Sequence, residues 1–416
     1  MLLVVACVGM TVPVWAETVT ADRDGELCRL DLVNRVDPPG IEYAPVAFVM
    51  DYETGTVLHE HNADVARVPA SLTKLVTIYT ALEASRGGEF SLDEPLPVDP
   101  RAYASEIAPG SSLMFLGPEQ FVSGRDLLRG LAVSSGNDAA VEVALRVSRS
   151  VSSFVARMNG VVRALGFSSM YFEDTAGLSP GNRITAREMA EFTRILIEQW
   201  PETLDSLFAL PHFAYPQSHH YVGEVLQGGT ILQYNRNTLI ETYPGADGLK
   251  TGYTSAAGYN LVATATRDDR RLIVVILGID APNHTVGSER RSQDAEQLLD
   301  WGFENFRTIR PSVPDLEDAV VWGGQVRTVA LRADNPLPIV LPEELVGGLR
   351  GEIHVPSEFW APREVHEATG SLRYYLGDCL VQEVPVWPAD TVEEGTLFRR
   401  LWDRLRWWLR DFFGQG

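Results

Sequence analysis

The chain has 416 residues, of which 45% are apolar and 22% are charged, and its formal charge at pH 7 is -21. This length supports a large buried core and exceeds that of one ordinary domain, so we expect two or more folded units. The negative charge repels phosphate backbones and the body of the chain has no basic run, so nucleic acid is excluded as an expected partner.

The first 16 residues, MLLVVACVGMTVPVWA, form an apolar stretch that ends in the small-residue pattern of a signal-peptide cleavage site. The stretch is too short to span a bilayer, and it lacks the positive charges that usually begin a signal peptide. An ordinary N-terminal strand is therefore the alternative. We expect residues 1–16 to be the signal peptide of an exported protein and residues 17–38 to be a polar lead-in segment.

Two cysteines, Cys28 and Cys379, remain if the signal peptide is removed after Ala16. An even number of cysteines in an exported protein permits a disulfide between them. Single cysteines are also common as small buried side chains, so the sequence leaves both interpretations open.

Residues 39–309 place strands at both ends and helices between them. Alternating apolar residues predict a hairpin with strands at 44–51 and 56–60 and a turn at 53–55. Helical spacing of apolar residues predicts helices at 72–85, 124–134, 138–148, 151–165 and 185–200. Strands are predicted again at 248–252, 259–266 and 271–278, followed by a helix at 289–306. This order predicts an α+β fold, in which distant segments form an antiparallel sheet and the helices pack against it.

The segment RPSVP at 310–314 predicts a domain boundary. Beyond it, short alternating runs at 325–331, 351–355 and 372–376 lie between Gly, Pro and Asn turns. We therefore expect residues 310–390 to form a small β domain.

The last segment, residues 391–416, contains an amphipathic helix. Nine apolar side chains between Leu397 and Phe413 share one arc, and five arginines occupy the other, with Trp407 as the exception. Two aspartates leave this helix with a formal charge of +3, so the remainder of the chain carries -24. A basic helix rich in Trp and Phe is typical of segments that lie flat in a membrane interface without spanning it. Packing on the protein body, or in a protein groove, is the alternative.

Only two of the 35 basic residues, Lys74 and Lys250, are lysines. Arginine cannot lose its proton, whereas a buried lysine can become a base. Lys74 follows Ser71 by one helical turn, so the hydroxyl and the amine lie on the same face of a predicted helix. An amine with a lowered pKa can deprotonate a serine without a histidine triad. Without other motifs, a helix-capping Ser71 and a solvated Lys74 would be the preferred interpretation.

Two further motifs favour a catalytic role for Ser71 and Lys74 over a helix cap and a solvated lysine. Ser135-Gly136-Asn137 falls between two predicted helices, and Lys250-Thr251-Gly252 falls on a predicted strand. The elements S-x-x-K, S-D-N and K-T-G, in this order, are the signature of class A β-lactamases and penicillin-binding proteins. All three occur here in that order.

The sequence therefore resembles the low-molecular-mass penicillin-binding proteins of the serine D-alanyl-D-alanine carboxypeptidase family, peptidase family S11. The resemblance extends over nearly the whole chain and implies the transpeptidase fold shared with serine β-lactamases. Beyond the three motifs it is carried by Met158-Asn159, Leu165-Gly166, Gly177-Leu178 and the stretch 247–260.

The resemblance implies a role for each motif residue in catalysis. Ser71 would be the acylated nucleophile, Lys74 the general base, and Ser135 the group that relays a proton to the leaving group. The backbone N–H groups of Ser71 and Tyr253 would form the oxyanion hole.

The resemblance also implies how the substrate is held. Asn137 would orient the acyl side chain, while Lys250 and Thr251 would bind the terminal carboxylate. Gly252 would leave room for the substrate along the strand edge. Some relatives have histidine in place of Tyr253, so only a backbone role is expected there. Glycine at position 136, where the lactamase form has aspartate, favours the carboxypeptidase branch.

The implied function is removal of the terminal D-Ala from peptidoglycan stem peptides through a Ser71 acyl-enzyme, with penicillin binding and a role in cell-wall biogenesis. No metal or cofactor is required. The implied location is the periplasm, with attachment to the outer face of the cytoplasmic membrane through the segment from Thr396 to Phe413.

Three other functions share part of this sequence pattern. A β-lactamase would need a glutamate in a Glu-x-x-Leu-Asn loop, and the sequence has none. Endopeptidase or transpeptidase activity stays open because it differs in the acceptor and not in the motifs. A non-catalytic wall-binding or membrane-scaffolding protein would be expected to carry a damaged motif.

Two histidine pairs could suggest metal sites. His59 and His61 alternate on a predicted strand, but no third ligand is evident, and a solvated strand edge is the preferred interpretation. His219 and His220 are expected to lie in an ordinary loop.

Overall fold

The computed structural model describes residues 36–226 and 228–413, and the side chains of residues 411–413 are not described. The predicted signal peptide at 1–16, almost all of the lead-in at 17–38, and Cys28 lie outside the described residues. Cys379 is disulfide-bonded. The chain divides into two compact units, Val36–Asn305 and one that contains Phe306–Gly416.

The first unit contains an antiparallel sheet of five strands, which are β1 (Val46–Asp51), β2 (Val57–His61), β7 (Ala246–Thr254), β8 (Gly258–Arg267) and β9 (Arg270–Ile279). Their order in the sheet is β2-β1-β9-β8-β7. Strand β1 pairs with β2 in a hairpin and with β9 on its other side, with Val46 opposite Leu277. The predicted pairing of distant segments in an antiparallel sheet is thus confirmed.

The central strands are buried along almost their whole length. Helices α5 (Ala186–Gln199) and α7 (His284–Asn305) pack against them, so these strands carry continuous apolar runs instead of a half-polar alternation. Helix α1 (Thr73–Arg86) is buried around most of its circumference, as expected for a helix that runs through a core, and its buried residues include Thr73, Lys74, Thr77 and Thr80.

The remaining elements of the first unit lie between these strands and helices in the chain. Their bounds are β3 (Leu96–Pro97), β4 (Phe121–Val122), α2 (Gly124–Arg129), α3 (Asn137–Ser148), α4 (Val151–Ala164), β5 (His212–Tyr215), β6 (Ile231–Tyr234) and α6 (Leu239–Thr242).

The second unit is built from small sheets and one helix. The sheets have the orders β10-β14, β12-β11-β16 and β13-β18-β17-β15, and their inner faces form two apolar clusters. The bounds are β10 (Phe306–Ile309), β11 (Ala319–Trp322), β12 (Thr328–Val329), β13 (Leu331–Ala333), β14 (Ile339–Pro342), β15 (Leu349–His354), β16 (Glu358–Trp360), β17 (Gly370–Leu376), β18 (Cys379–Pro388) and α8 (Leu397–Phe413).

One local prediction is wrong. The run at 325–331 is not one strand, because β12 pairs with β11 whereas β13 pairs with β18, so the chain breaks between them. Residues 124–134 are helical as predicted, but only α2 is an α-helix, and Gly130–Ser134 form a wider π-helical turn.

Candidate active site

Ser71 and Lys74 lie at the N-terminal end of α1, where Ser71 is half-buried. Ser71 belongs to a one-turn helix, Ala70–Leu72, and the cap residue of α1 is Leu72, which makes no side-chain capping bond. The Lys74 side chain is fully buried. A helix-capping Ser71 beside a solvated Lys74 is therefore wrong.

The Lys74 ammonium nitrogen contacts three oxygen atoms. Nζ lies 3.0 Å from Ser71 Oγ, 2.8 Å from Asn137 Oδ1 and 2.8 Å from the carbonyl oxygen of Ala176. Asn137 is 63 residues away in sequence, so the fold brings the first and second motifs together.

Burial lowers the pKa of Lys74 from 10.5 to about 7, because desolvation disfavours the charged form. The carboxylates of Asp174 and Asp138 oppose this shift, and the positive charge of Arg236 adds to it. Near neutral pH a substantial fraction of Lys74 is unprotonated and can accept a proton from Ser71.

Asp174 shapes the loop that supplies one of these oxygen atoms. Its carboxylate accepts hydrogen bonds from the backbone N–H groups of Ala176 at 2.7 Å, Gly177 at 2.5 Å and Ser179 at 2.6 Å. Gly177 has φ +90°, and a Cβ there would lie 1.8 Å from the carbonyl oxygen of Ala70. Only glycine fits between this loop and the Ser71 segment.

The second motif follows the π-helical turn. Ser135 has φ 56°, in the left-handed region, and it is buried, as is Asn137 at the start of α3. Asp138 accepts hydrogen bonds from the N–H groups of residues 114, 115 and 116 at 2.7, 2.7 and 3.0 Å. A Cβ on Gly136 would lie 2.9 Å from the Met114 nitrogen, which accounts for glycine at the centre of this motif.

The third motif lies on β7, at the edge of the sheet. Lys250 and Thr251 are buried, and Lys250 Nζ donates to the carbonyl oxygen of Thr251 at 3.1 Å. A Cβ on Gly252 would lie 3.0 Å from the Ser71 nitrogen, so the strand passes directly beside the Ser71 segment. The second and third motifs thus flank the residue predicted to be the nucleophile.

Asn260 on β8 holds the chain that leads into Ser71. Its Nδ2 donates to the carbonyl oxygens of Val68 and Pro69, both at 3.0 Å, and its Oδ1 accepts from the Gly278 N–H at 2.8 Å. This amide joins the Ser71 segment to two strands of the sheet.

Comparison with known proteins fits this geometry. The D-alanyl-D-alanine carboxypeptidase family, peptidase S11, matches residues 33–281, and the C-terminal domain of penicillin-binding protein 5 matches residues 312–394. The chain belongs to the S11 family. The predicted fold class and the predicted serine-type D-Ala-D-Ala carboxypeptidase activity are confirmed by this membership.

Two relatives resemble this carboxypeptidase over most of their length. D-alanyl-D-alanine carboxypeptidase DacC of Escherichia coli is 34% identical over 386 residues, covering 91% of each chain. Penicillin-binding protein 5 of Haemophilus influenzae has a crystal structure with a TM-score of 0.71 and 31% identity, covering 86% of this chain and 100% of the other.

A third relative was crystallised with an antibiotic. Penicillin-binding protein D2 of Listeria monocytogenes in its ampicillin-bound form has a TM-score of 0.53 and 29% identity. The match covers 64% of this chain and 100% of the other.

The carboxypeptidase has an aromatic side chain directly after its third motif. Tyr253 is 41% exposed, and its ring lies 4.3 Å from that of Tyr259 and 4.7 Å from that of His284. The sequence predicted only a backbone role for Tyr253 and no role for its ring.

The carboxypeptidase buries one histidine that was expected to be solvated. His59 packs edge-on against Trp301, with ring centroids 5.8 Å apart, and burial lowers its pKa to about 4. The prediction of a solvated strand edge is therefore wrong for His59, although His61 is exposed.

The second histidine pair is in a one-turn helix, Ser218–His220, and not in an irregular loop. Within the described part of the chain, His219, His220 and Asp126 form the one group with the proximity of metal ligands. His220 Nδ1 accepts the Gln217 N–H at 2.9 Å, so a neutral ring carries its proton on Nε2 and lacks a free lone pair there. Asp126 already pairs with Arg129 at 3.0 Å.

Proposed function

We propose that Ser71 is the nucleophile and that Lys74 is its general base. The observation that carries this proposal is the buried Lys74 amine, 3.0 Å from Ser71 Oγ and with its pKa lowered to about 7. A base must lie within hydrogen-bond reach of the proton that it removes, and its pKa should be near the working pH.

Acylation then proceeds through a tetrahedral intermediate. Ser71 Oγ forms a bond to the penultimate peptide carbonyl carbon while its proton passes to Lys74. The N–H groups of Ser71 and Tyr253 donate hydrogen bonds to the oxyanion. Ser135 relays a proton to the nitrogen of the terminal residue as the C–N bond breaks. Water then cleaves the Ser71 ester and releases the shortened peptide.

The binding residues act on the two ends of the substrate. Asn137 presents its amide to the acyl side chain while it also holds Lys74. Lys250 and Thr251 bind the terminal carboxylate, and Gly252 keeps the strand edge open. Stem peptides that end in D-Ala-D-Ala fit these groups, and so do β-lactams, in agreement with the ampicillin-bound relative.

We propose a catalytic domain at 39–309, a β domain at 310–390 and an anchoring segment at 391–416, after a signal peptide at 1–16.

Among the described residues, no helix has the length and apolar character needed to cross a membrane. The exposed apolar face of α8 supports a peripheral attachment, with Trp402 at 53% and Phe398 at 79% exposure. The proposed location is the periplasmic face of the cytoplasmic membrane.

The decisive test of this function uses the purified enzyme with two ligands. A fluorescent penicillin should label the enzyme covalently, with the adduct mass on the Ser71 peptide, and a peptide ending in D-Ala-D-Ala should release D-alanine. Hydrolysis of the peptide without any covalent penicillin adduct would contradict the acyl-enzyme mechanism.

The pH dependence of acylation should follow the protonation of Lys74. Because only the neutral amine accepts a proton, the second-order acylation rate should fall about tenfold for each pH unit below the Lys74 pKa of about 7 and level off above it. The measurement is the rate of adduct formation at low β-lactam concentration, which reports the free enzyme. A rate that is constant across that pKa would remove Lys74 from the base role.

Truncation before Leu397 should turn a membrane-bound enzyme into one that stays in the soluble fraction. Activity on small peptides should remain within about twofold, because the motif residues all lie in the other unit. Fractionation of cells that export each form measures this difference. Sedimentation of the truncated form with membranes would show that attachment lies elsewhere.

A further inference from the structure

The arginines of α8 are mostly engaged with the unit that carries the helix. The guanidinium of Arg410 pairs with both carboxylate oxygens of Glu358, and Arg400 pairs with Glu394. Arg399 donates to the carbonyl oxygens of Gln325 at 2.8 Å and Val326 at 3.0 Å.

Three further contacts hold the polar side of the helix. Asp403 is only 8% exposed, and its carboxylate accepts the Gly323 N–H at 3.0 Å. The guanidinium groups of Arg406 and Arg410 lie over the ring of Trp322, at 6.0 and 5.2 Å from its centroid. Arg404 is the one arginine of α8 for which the described residues supply no ion pair, hydrogen bond or ring contact.

The apolar side chains of α8 whose burial is described are exposed. Those exposed by more than a third are Leu397, Phe398, Leu401, Trp402, Leu405, Trp407, Trp408 and Leu409. The helix is thus held by its charged side and presents its aromatic side outward. This is opposite to the packing expected if α8 covered an apolar surface of its own unit.

We infer that α8 binds an electrically neutral lipid surface by apolar insertion, and that anionic headgroups add little to its affinity. The inference rests on the proposed membrane attachment. A free basic residue near an anionic surface strengthens binding by roughly fivefold. The +3 charge of the isolated segment already includes Asp403 and Asp411. Glu358 and Glu394, outside the helix, pair with two of its arginines and lower that charge to +1, so +3 overstates the charge that lipids encounter.

The test compares binding of the enzyme without residues 1–16 to two kinds of vesicle. One is phosphatidylcholine alone, and the other is phosphatidylcholine mixed with phosphatidylglycerol. The two affinities should agree within roughly fivefold, the increment expected of one free arginine. Added salt should change neither affinity appreciably. A preference of more than about 100-fold for the anionic vesicles, removed by salt, would overturn the inference.

A double variant, Glu358→Gln with Glu394→Gln, releases Arg410 and Arg400 without altering the apolar face. It should strengthen binding to anionic vesicles by roughly 10-fold or more and leave binding to neutral vesicles unchanged. Unchanged binding to both vesicles would overturn the inference, since the arginines would then not be masked by these carboxylates. Trp402→Glu, at an exposed position, should abolish binding to both vesicles.

Failure of the proposed membrane attachment gives a different result from failure of the inference on lipid charge. If the wild-type enzyme binds neither vesicle, or if Trp402→Glu binds both as well as wild type does, then α8 is not the anchor. Thermal unfolding of each variant, compared with wild type, verifies that the second unit remains folded.

Discussion

Ser71→Ala is expected to abolish both covalent penicillin labelling and D-alanine release, a loss of roughly 10⁴-fold or more. The substitution removes only the attacking oxygen and one acceptor of Lys74, which keeps its contacts with Asn137 and Ala176. The fold should therefore persist, and the melting temperature should remain close to that of wild type. Gel fluorescence with a labelled penicillin and an assay of released D-alanine measure the two losses.

Ser85→Ala provides the matched control, because it makes the same chemical change in the last turn of α1. It should label and hydrolyse as wild type does. Mass spectrometry of the wild-type adduct should locate the modification on Ser71. An adduct on another serine, or residual labelling of Ser71→Ala at the wild-type rate, would reject the assignment.

The parts of the site that sequence predicts are those fixed by local geometry. Ser71 and Lys74 are one turn apart, so a predicted helix at 72–85 was enough to place the hydroxyl beside the amine. The strand predicted at 248–252 likewise placed the third motif on β7. These relations need no knowledge of the rest of the chain.

The parts of the site that the sequence did not predict depend on contacts between distant segments. Asn260 holds residues that precede it by 191 and 192 positions, and no periodicity connects the two regions. Asp174 and Asp138 bind runs of backbone N–H groups, and their sequence signal is only a carboxylate beside turn residues. The hairpin of β5 and β6 was also missed, because 15 residues separate its two strands and no tight-turn motif marks it.

The assignment of the base role requires a comparison of the two lysines, since both have a lowered pKa. Burial lowers the pKa of Lys250 well below its ordinary value, and the charge of Lys74 adds to this shift. Geometry separates them: Lys74 Nζ contacts Ser71 Oγ, whereas the Lys250 contact in the described site is the Thr251 carbonyl oxygen. A bound substrate carboxylate would raise the pKa of Lys250 and keep it cationic.

Arginine substitutions should therefore distinguish the two lysines. Lys74→Arg installs a side chain that remains protonated at neutral pH, so acylation should fall by roughly 10² to 10⁴ or more. Lys250→Arg keeps a positive charge and a fork that binds carboxylates, so its loss should be smaller. The measurement is the acylation rate of each variant with the same β-lactam at the same pH, so that only the substitution differs between the two rates.

Folding has to be verified first, because both side chains are buried and arginine is larger than lysine. Circular dichroism and melting temperature serve this purpose, and the pH profile adds a readout that packing damage alone would not change. Residual acylation in Lys250→Arg should still follow a pKa near 7, because Lys74 is intact, whereas any residual rate in Lys74→Arg should lose that dependence. Equal losses in the two variants, or a larger loss in Lys250→Arg, would contradict this division of roles, since the residue within reach of Ser71 Oγ would then not be the one that must release a proton.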